Sequence, residues 1–295
     1  MSVEHLLIGA DPELFVYDKG FKAYRSAHSW MKGTKKEPFS TTFGAIQLDG
    51  VAAEFNIIPT NNVTDFIRRI NQGVGCITGL AKKHNSNYEV RASPVAYFTK
   101  DYWATLPETV LELGCDPDFD AWKVEVNQRP HTTECFRTGA GHIHLGWYPK
   151  VHYQDDVMNE QHIFDCVYVT KNLDFVLFLL SQAWDTDRKR RTLYGGRGTF
   201  RPKPYGVEYR VLSNAWLNHT LLMGWVYNVA MHTLRMMDED VRIYEDTELN
   251  RYMYIVDKGT LTWPQLAVVH NLLVDKYKFP PLPKFIWNPE LRSKE

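Results

Sequence analysis

The chain has 295 residues, of which 44% are hydrophobic, 14% aromatic and 23% charged, and its formal net charge is -1. That near-neutral balance gives no global argument for nucleic acid or an anionic membrane as a partner, and the length suits one large domain or two modest ones. The longest apolar run, FVLFLL, is too short to cross a bilayer, and MSVEHLLIGADPELF lacks the basic stretch and long apolar core of a secretory signal, so a cytoplasmic protein is expected.

Residues 5–17 read as a first strand, and 18–43 as hairpin and loop. AIQLDGVAAEFNIIP predicts strand, an Asp49-Gly50 turn and a second strand that ends at Pro59, because Asp-Gly between apolar runs favours a tight hairpin. From Thr64, a candidate N-cap, the spacing of Phe66, Ile67, Ile70, Val74, Ile77 and Leu80 is helical, although internal glycines weaken it. A strand over 86–98 precedes a turn-rich stretch, 99–137, and a strand over 139–148. A long core helix is expected over 158–184, and a basic, glycine-rich loop over 185–206. A strand at VEYRVLSN and helices from Asn214 and over 262–277 follow. The four cysteines, Cys76, Cys115, Cys135 and Cys166, form no C-x-x-C pair and read as free thiols in a reducing compartment. There are no repeats, no low-complexity tracts and no linker, so 1–295 reads as a single domain with a proline-rich tail, 279–295.

One pattern recurs in the strand-like segments. Asp11 and Glu13, Glu54 and Asn56, His142 and His144, and Glu208 and Arg210 are each spaced two apart. Side chains at i and i+2 of a strand share a face, so these four segments predict one sheet whose concave side is a polar site. Buried charges need partners, and divalent cations and phosphates are the natural ones. Asp11, Glu13, Asp49, Glu54, His142 and Glu208 form an oxygen-rich set with one imidazole, which suits Mg²⁺ or Mn²⁺ better than zinc. Six ligands exceed the needs of one Mg²⁺ and fit two ions that share a triphosphate. Gly139, Gly141 and Gly146 around the histidines would allow a ligand to approach the backbone closely.

Further along, Arg188, Lys189 and Arg190 read as a solvated charged face. Arg191, Arg197, Arg201 and Arg210, interleaved with Gly195, Gly196 and Gly198, read instead as a phosphate clamp, because guanidinium offers a charged fork matched to phosphate oxygens. Metal ligands beside such arginines point to phosphoryl transfer, but no Walker-type loop or kinase signature is present.

The ordered series GADPELF, LDGVAAEFN, GAGHIHLGW and YGGRGTFRPKPYGVEYRVLSNAW resembles the glutamine-synthetase-like amidoligases, in particular the COOH–NH2 ligase type 2 family of tailed phages, over roughly residues 5 to 216. The resemblance implies an α+β fold in which a curved antiparallel sheet forms a funnel-shaped site with long helices behind it. It implies ATP and Mg²⁺ as cofactors and amide-bond formation through an acyl phosphate, in a phage host's cytoplasm. It also implies roles for particular residues: Asp11, Glu13, Asp49, Glu54, His142 and Glu208 as metal ligands, and His144, Arg191, Arg197 and Arg210 near the nucleotide. Arg197, Arg201 and Arg210 would act on the transferred phosphoryl group. The substrates would be a small-molecule or peptide carboxylate and an amine, with the oligomeric state left open. Two other readings stand beside this one: a metal-dependent hydrolase that activates water with the H-x-H strand, and a non-catalytic binding or virion-associated protein that keeps the fold.

Overall fold

A computed structural model describes residues 5–111, 118–128, 134–147 and 157–287. Among these, Cys76, Cys135 and Cys166 are free thiols; Cys115 and the last residues of the proline-rich tail lie outside the described residues.

The polar strands build two antiparallel sheets, not one. The first runs in spatial order through β1 (Leu7–Ala10), β12 (Ile143–Gly146), β14 (Gly206–Tyr209), β13 (Thr199–Lys203), β9 (Phe119–Asp120) and β10 (Glu125–Val126). The second runs through β3 (Ala23–Arg25), β2 (Glu13–Asp18), β6 (Ala52–Ile57), β5 (Gly44–Asp49) and β4 (Phe39–Ser40), with β7 (Tyr88–Arg91) also paired to β2. A two-stranded sheet of β8 (Val95–Tyr97) and β11 (Phe136–Thr138) lies apart.

The expected strand over 5–17 is divided at Asp11-Pro12, and the division has a chemical cause. Proline has no amide N–H to continue a ladder. Asp11 and Glu13 still donate to the carbonyls of His142 and Ala140, at 3.4 and 2.9 Å, but the Pro12 carbonyl accepts from the amide of Phe55, at 3.2 Å. The chain therefore changes neighbours there, from β12 to β6, and Glu13 comes to pair with Glu54. The expected hairpin is present, with Gly50 at φ +56° between β5 and β6. The strand expected over 86–98 is two short strands in different sheets, β7 and β8, interrupted at Ala92-Ser93-Pro94.

Six helices are needed to describe the packing: α1 (Val63–His84), α2 (Glu160–Leu173), α3 (Lys189–Leu193), α4 (Thr220–Met236), α5 (Thr247–Lys258) and α6 (Trp263–Tyr277). The cap of α1 is Asn62, whose side chain accepts from the amide of Asp65, rather than the expected Thr64. Its internal glycine at position 73 has a packing reason, since an added Cβ would lie 2.3 Å from the ring of Phe55. The helix over 158–184 is α2 continued through a π-helical turn, Asp174–Phe178, to a last turn ending at Ser181. The segment from Asn214 opens as a 3-10 turn and becomes α4 at Thr220. Sequence reading missed α5, although Leu249, Met253 and Val256 bury one face of it at helical spacing.

The helices lie against one side of the sheets, where alternate strand residues are apolar. Ile8, Ile143, Leu145, Val207, Tyr209 and Phe200 from the first sheet, and Leu14, Ala53, Phe55 and Ile46 from the second, join one core with α1, α2 and α4. Burying each large side chain contributes about 1.5–3 kcal/mol. The alternation leaves the intervening polar residues on the opposite side.

Candidate functional site

Register places the polar side chains before any contact is measured. On the first sheet Gly9 faces His144, His144 faces Glu208, and Glu208 faces Arg201, so all lie on the side away from the core. On the second sheet Glu13 faces Glu54, and Glu54 faces Gln47. The six predicted ligands all come together, in two groups of three. Asp11, His142 and Glu208 form one; Glu13, Asp49 and Glu54 form the other, and within each the donor atoms lie within 4.8 Å of one another. Asp11-Pro12-Glu13 connects the groups, and Glu54 feels the charge of Asp11 as well as those of Asp49 and Glu13.

In the first group the imidazole Nδ1 of His142 lies 3.5 Å from Asp11 and 3.4 Å from Glu208. Glu208 is 1% exposed and is ringed by cations: Lys203 at 2.9 Å, Arg201 at 3.2 Å, and Arg210 in direct contact. Arg210 also pairs through Nε with Asp118, at 3.1 Å. Burial and the charge of Asp11 push Glu208 up, but the Arg210 guanidinium and the two histidines outweigh them and hold it at about 2. Asp11 is likewise held well below its usual value, because His144 and His142 outweigh its burial. Burial lowers His142 to about 4, with help from Arg210, so its ring is a neutral donor. His144 is not in the group itself. Its Nε2 lies 3.1 Å from Asp11 and its Nδ1 meets the Tyr205 hydroxyl; against the pull of burial, Asp11 raises it.

The second group has little compensation. Burial and the neighbouring Asp49 raise Glu13 to about 7, and burial with three nearby carboxylates raises Glu54 well above its usual value. The ammonium of Lys35 stands close, 2.8 Å from Asp49. Three convergent carboxylates suit a hard divalent cation, and two carboxylates with a neutral imidazole suit Mg²⁺ or Mn²⁺.

The predicted arginines divide. Arg201 and Arg210 stand at Glu208. Arg191 and Arg197 do not: Arg191 donates to the Asp185 carbonyl at 2.6 Å, and Arg197 pairs with Asp257 at 2.8 Å. Both line a cleft bounded by Phe178 and Val256, among the helices. Arg190, expected on a solvated face, is 2% exposed and donates to the carbonyls of Val211 and Arg210, the latter at 2.9 Å. It therefore braces the strand that carries Glu208. The glycines beside the histidines also serve the protein itself. A Cβ at Gly141 would lie 2.3 Å from the Ser213 carbonyl, and one at Gly139 would lie 2.3 Å from Asn214.

Sequence reading did not assign Lys35, Gln47, Asp118, Lys203 or Tyr205. Lys203 and Gln47 were within reach of the same spacing rule, two residues from Arg201 and Asp49 respectively. Asp118 and Lys35 carried no local signal, since loops bring them in.

No family model matches the chain, and no curated protein matches it. Among solved structures the chain is similar to a bifunctional glutathione synthetase from Pasteurella multocida, at 12% identity and a TM-score of 0.48. The match covers 99% of this chain and 46% of that one, so the chain spans under half of that protein's length.

Proposed function

We propose that this chain is an ATP-dependent carboxylate–amine ligase that uses two divalent cations, Mg²⁺ or Mn²⁺, in the manner of the glutamine-synthetase-like COOH–NH2 ligases. The observation that carries the reading is the pair of three-donor groups joined at Asp11-Pro12-Glu13, with Arg201, Lys203 and Arg210 beside one of them. A curved funnel around this face, and descent from the phage type 2 family, belong to the same proposal.

Two groups of hard donors on one face fit a reaction in which a polyphosphate must be held and its charge spread. Bound cations would supply that neutralisation at the phosphate oxygens. The chain's own residues hold the donors in place. Arg201, Lys203 and Arg210 fix Glu208, and Asp118 and Arg190 fix Arg210 and its strand. Lys35, the cation at the second group, is placed to neutralise an incoming anion once a metal takes over Asp49. In the proposed reaction a substrate carboxylate attacks the γ-phosphate of ATP, ADP leaves, and an amine then displaces phosphate from the acyl phosphate. Among the described residues only one imidazole joins a donor group, which favours this reading over a zinc hydrolase built on His142 and His144.

The test is phosphate release from ATP·Mg²⁺ against mixtures of amino acids, polyamines and short peptides. Release that needs both a carboxylate and an amine is expected. Hydrolysis that proceeds without ATP, or intact protein that fails to bind ATP·Mg²⁺ by calorimetry, would reject it.

A further inference from the structure

Away from the carboxylate face, Arg188, Arg191 and Arg197 line a cleft of about 260 Å³ together with Phe178, Thr192 and Asp257. Three guanidinium groups share it with one carboxylate, and Asp257 is committed to Arg197 at 2.8 Å. The Arg197 guanidinium also lies over the Trp122 ring, 4.8 Å from its centre. Arg191 uses only Nη2 in its hydrogen bonds, to Ser181 and to the Asp185 carbonyl, which leaves Nε and Nη1 free to donate. Arg188 is exposed, and its side chain has no ion-pair or hydrogen-bond partner among the described residues. Burial lowers Arg191 and the like charge of Arg188 adds to it, against the opposing pull of Asp185 and Asp187. Nor does a side chain of position 196 or 259 fill the opening, since both are glycines with nothing closer than 3.4 Å to an added Cβ.

We propose that this cleft is a second binding site, for a small dianion such as a phosphate or a dicarboxylate, separate from the two groups of metal-type donors. Its lining carries three guanidinium groups to one carboxylate, which favours an anion, and guanidinium N–H groups match the paired oxygens of either chemistry. The cleft is also tied to the carboxylate face. Trp122 donates to Asp174 at 2.6 Å, Asp174 accepts from Tyr209 at 2.8 Å, and Tyr209 is the last residue of β14, next to Glu208 and just before Arg210. The site stands whether or not the chain is a ligase.

The experiment is calorimetric titration of the full chain, without nucleotide, with inorganic phosphate and separately with succinate, at constant ionic strength held by chloride. Saturable binding is expected with at least one of the two, and the stronger arm identifies the chemistry. Arg188→Ala removes an exposed, unpartnered side chain, so the fold stays intact and affinity should fall about tenfold for one lost charge-assisted contact. Asp257→Asn removes the one carboxylate in the lining and should tighten binding severalfold. Absence of saturable binding in both arms would overturn the proposal. So would binding that neither substitution alters, which would place the anion elsewhere, at Arg201 and Lys203 on the carboxylate face.

Discussion

The two groups of metal-type donors are built alike and balanced differently. Each draws one acid from the first strand run, Asp11 for one and Glu13 for the other, and each closes on residues from neighbouring strands. Around Glu208 stand three cationic side chains, and it is held at about 2. Around Glu54 stand further carboxylates, and burial with their repulsion pushes it well above its ordinary range. The first group is thus an ion-pair network that the fold completes by itself. The second is a buried concentration of like charge that a bound cation would relieve.

That difference can be broken or sharpened by experiment. The largest effect expected is on turnover: Glu54→Gln or Glu208→Gln should lower ATP-dependent phosphate release by at least about 10²-fold, as loss of a charge-stabilising group does. Full activity in either variant would remove that group from the chemistry. The two substitutions should then part in stability. Glu208→Gln removes the counter-charge shared by the buried Arg210 and the half-buried Arg201 and Lys203, and should cost about 3–5 kcal/mol in urea denaturation. Glu54→Gln relieves repulsion and should leave the metal-free protein as stable or more so; equal losses in the two would show that the asymmetry of charge has no energetic weight. Saturating Mn²⁺ should stabilise the wild-type chain by about 2.7 kcal/mol at a hundred times its dissociation constant. Glu54→Gln should forfeit more of that gain than a change at His142, because three carboxylates attract a cation more strongly than two with an imidazole. Arg210→Lys keeps a charge but loses the fork between Glu208 and Asp118, and about a tenfold drop in kcat is expected. The smallest effect is at Lys35, the cation already at the second group. Lys35→Met should tighten Mn²⁺ binding by a few-fold, in line with the modest weight of an exposed ion pair, and weaker Mn²⁺ binding would show that Lys35 supports the site rather than competes for it.

Much of this site was legible in the sequence because the spacing of two is a local property. Glu208 and Arg210 reach the polar face as that spacing requires, and Asp11 and Glu13 both reach it although the chain changes sheets between them. The hairpin at Asp49-Gly50 was legible for the same reason, since its turn chemistry is confined to a few residues. Other features depended on distant partners. The glycines flanking His142 resembled a ligand approach, yet they make room for Ser213 and Asn214, more than seventy residues away along the chain. Arg191 and Arg197 resembled Arg201 as members of one glycine-spaced series, but the short helix α3 and the turn before β13 carry them to the cleft among the helices. Arg190 looked like part of a solvated run, and only the approach of β14 makes it a buried brace. The helix α5 is a different kind of miss: its apolar spacing was present, but it is short and rich in charged residues.

By itself the sequence determined which side chains share a face, because alternation along a strand follows from the geometry of L-residues and needs no knowledge of the neighbours. It could not determine that Asp11 and Glu13 would serve different groups. That follows from Pro12, where the chain leaves β12 for β6, and from which strands lie beside it. The charge balance of each group was likewise decided only in three dimensions, because Coulomb energy depends on the separation and burial of groups that the chain brings in from far apart.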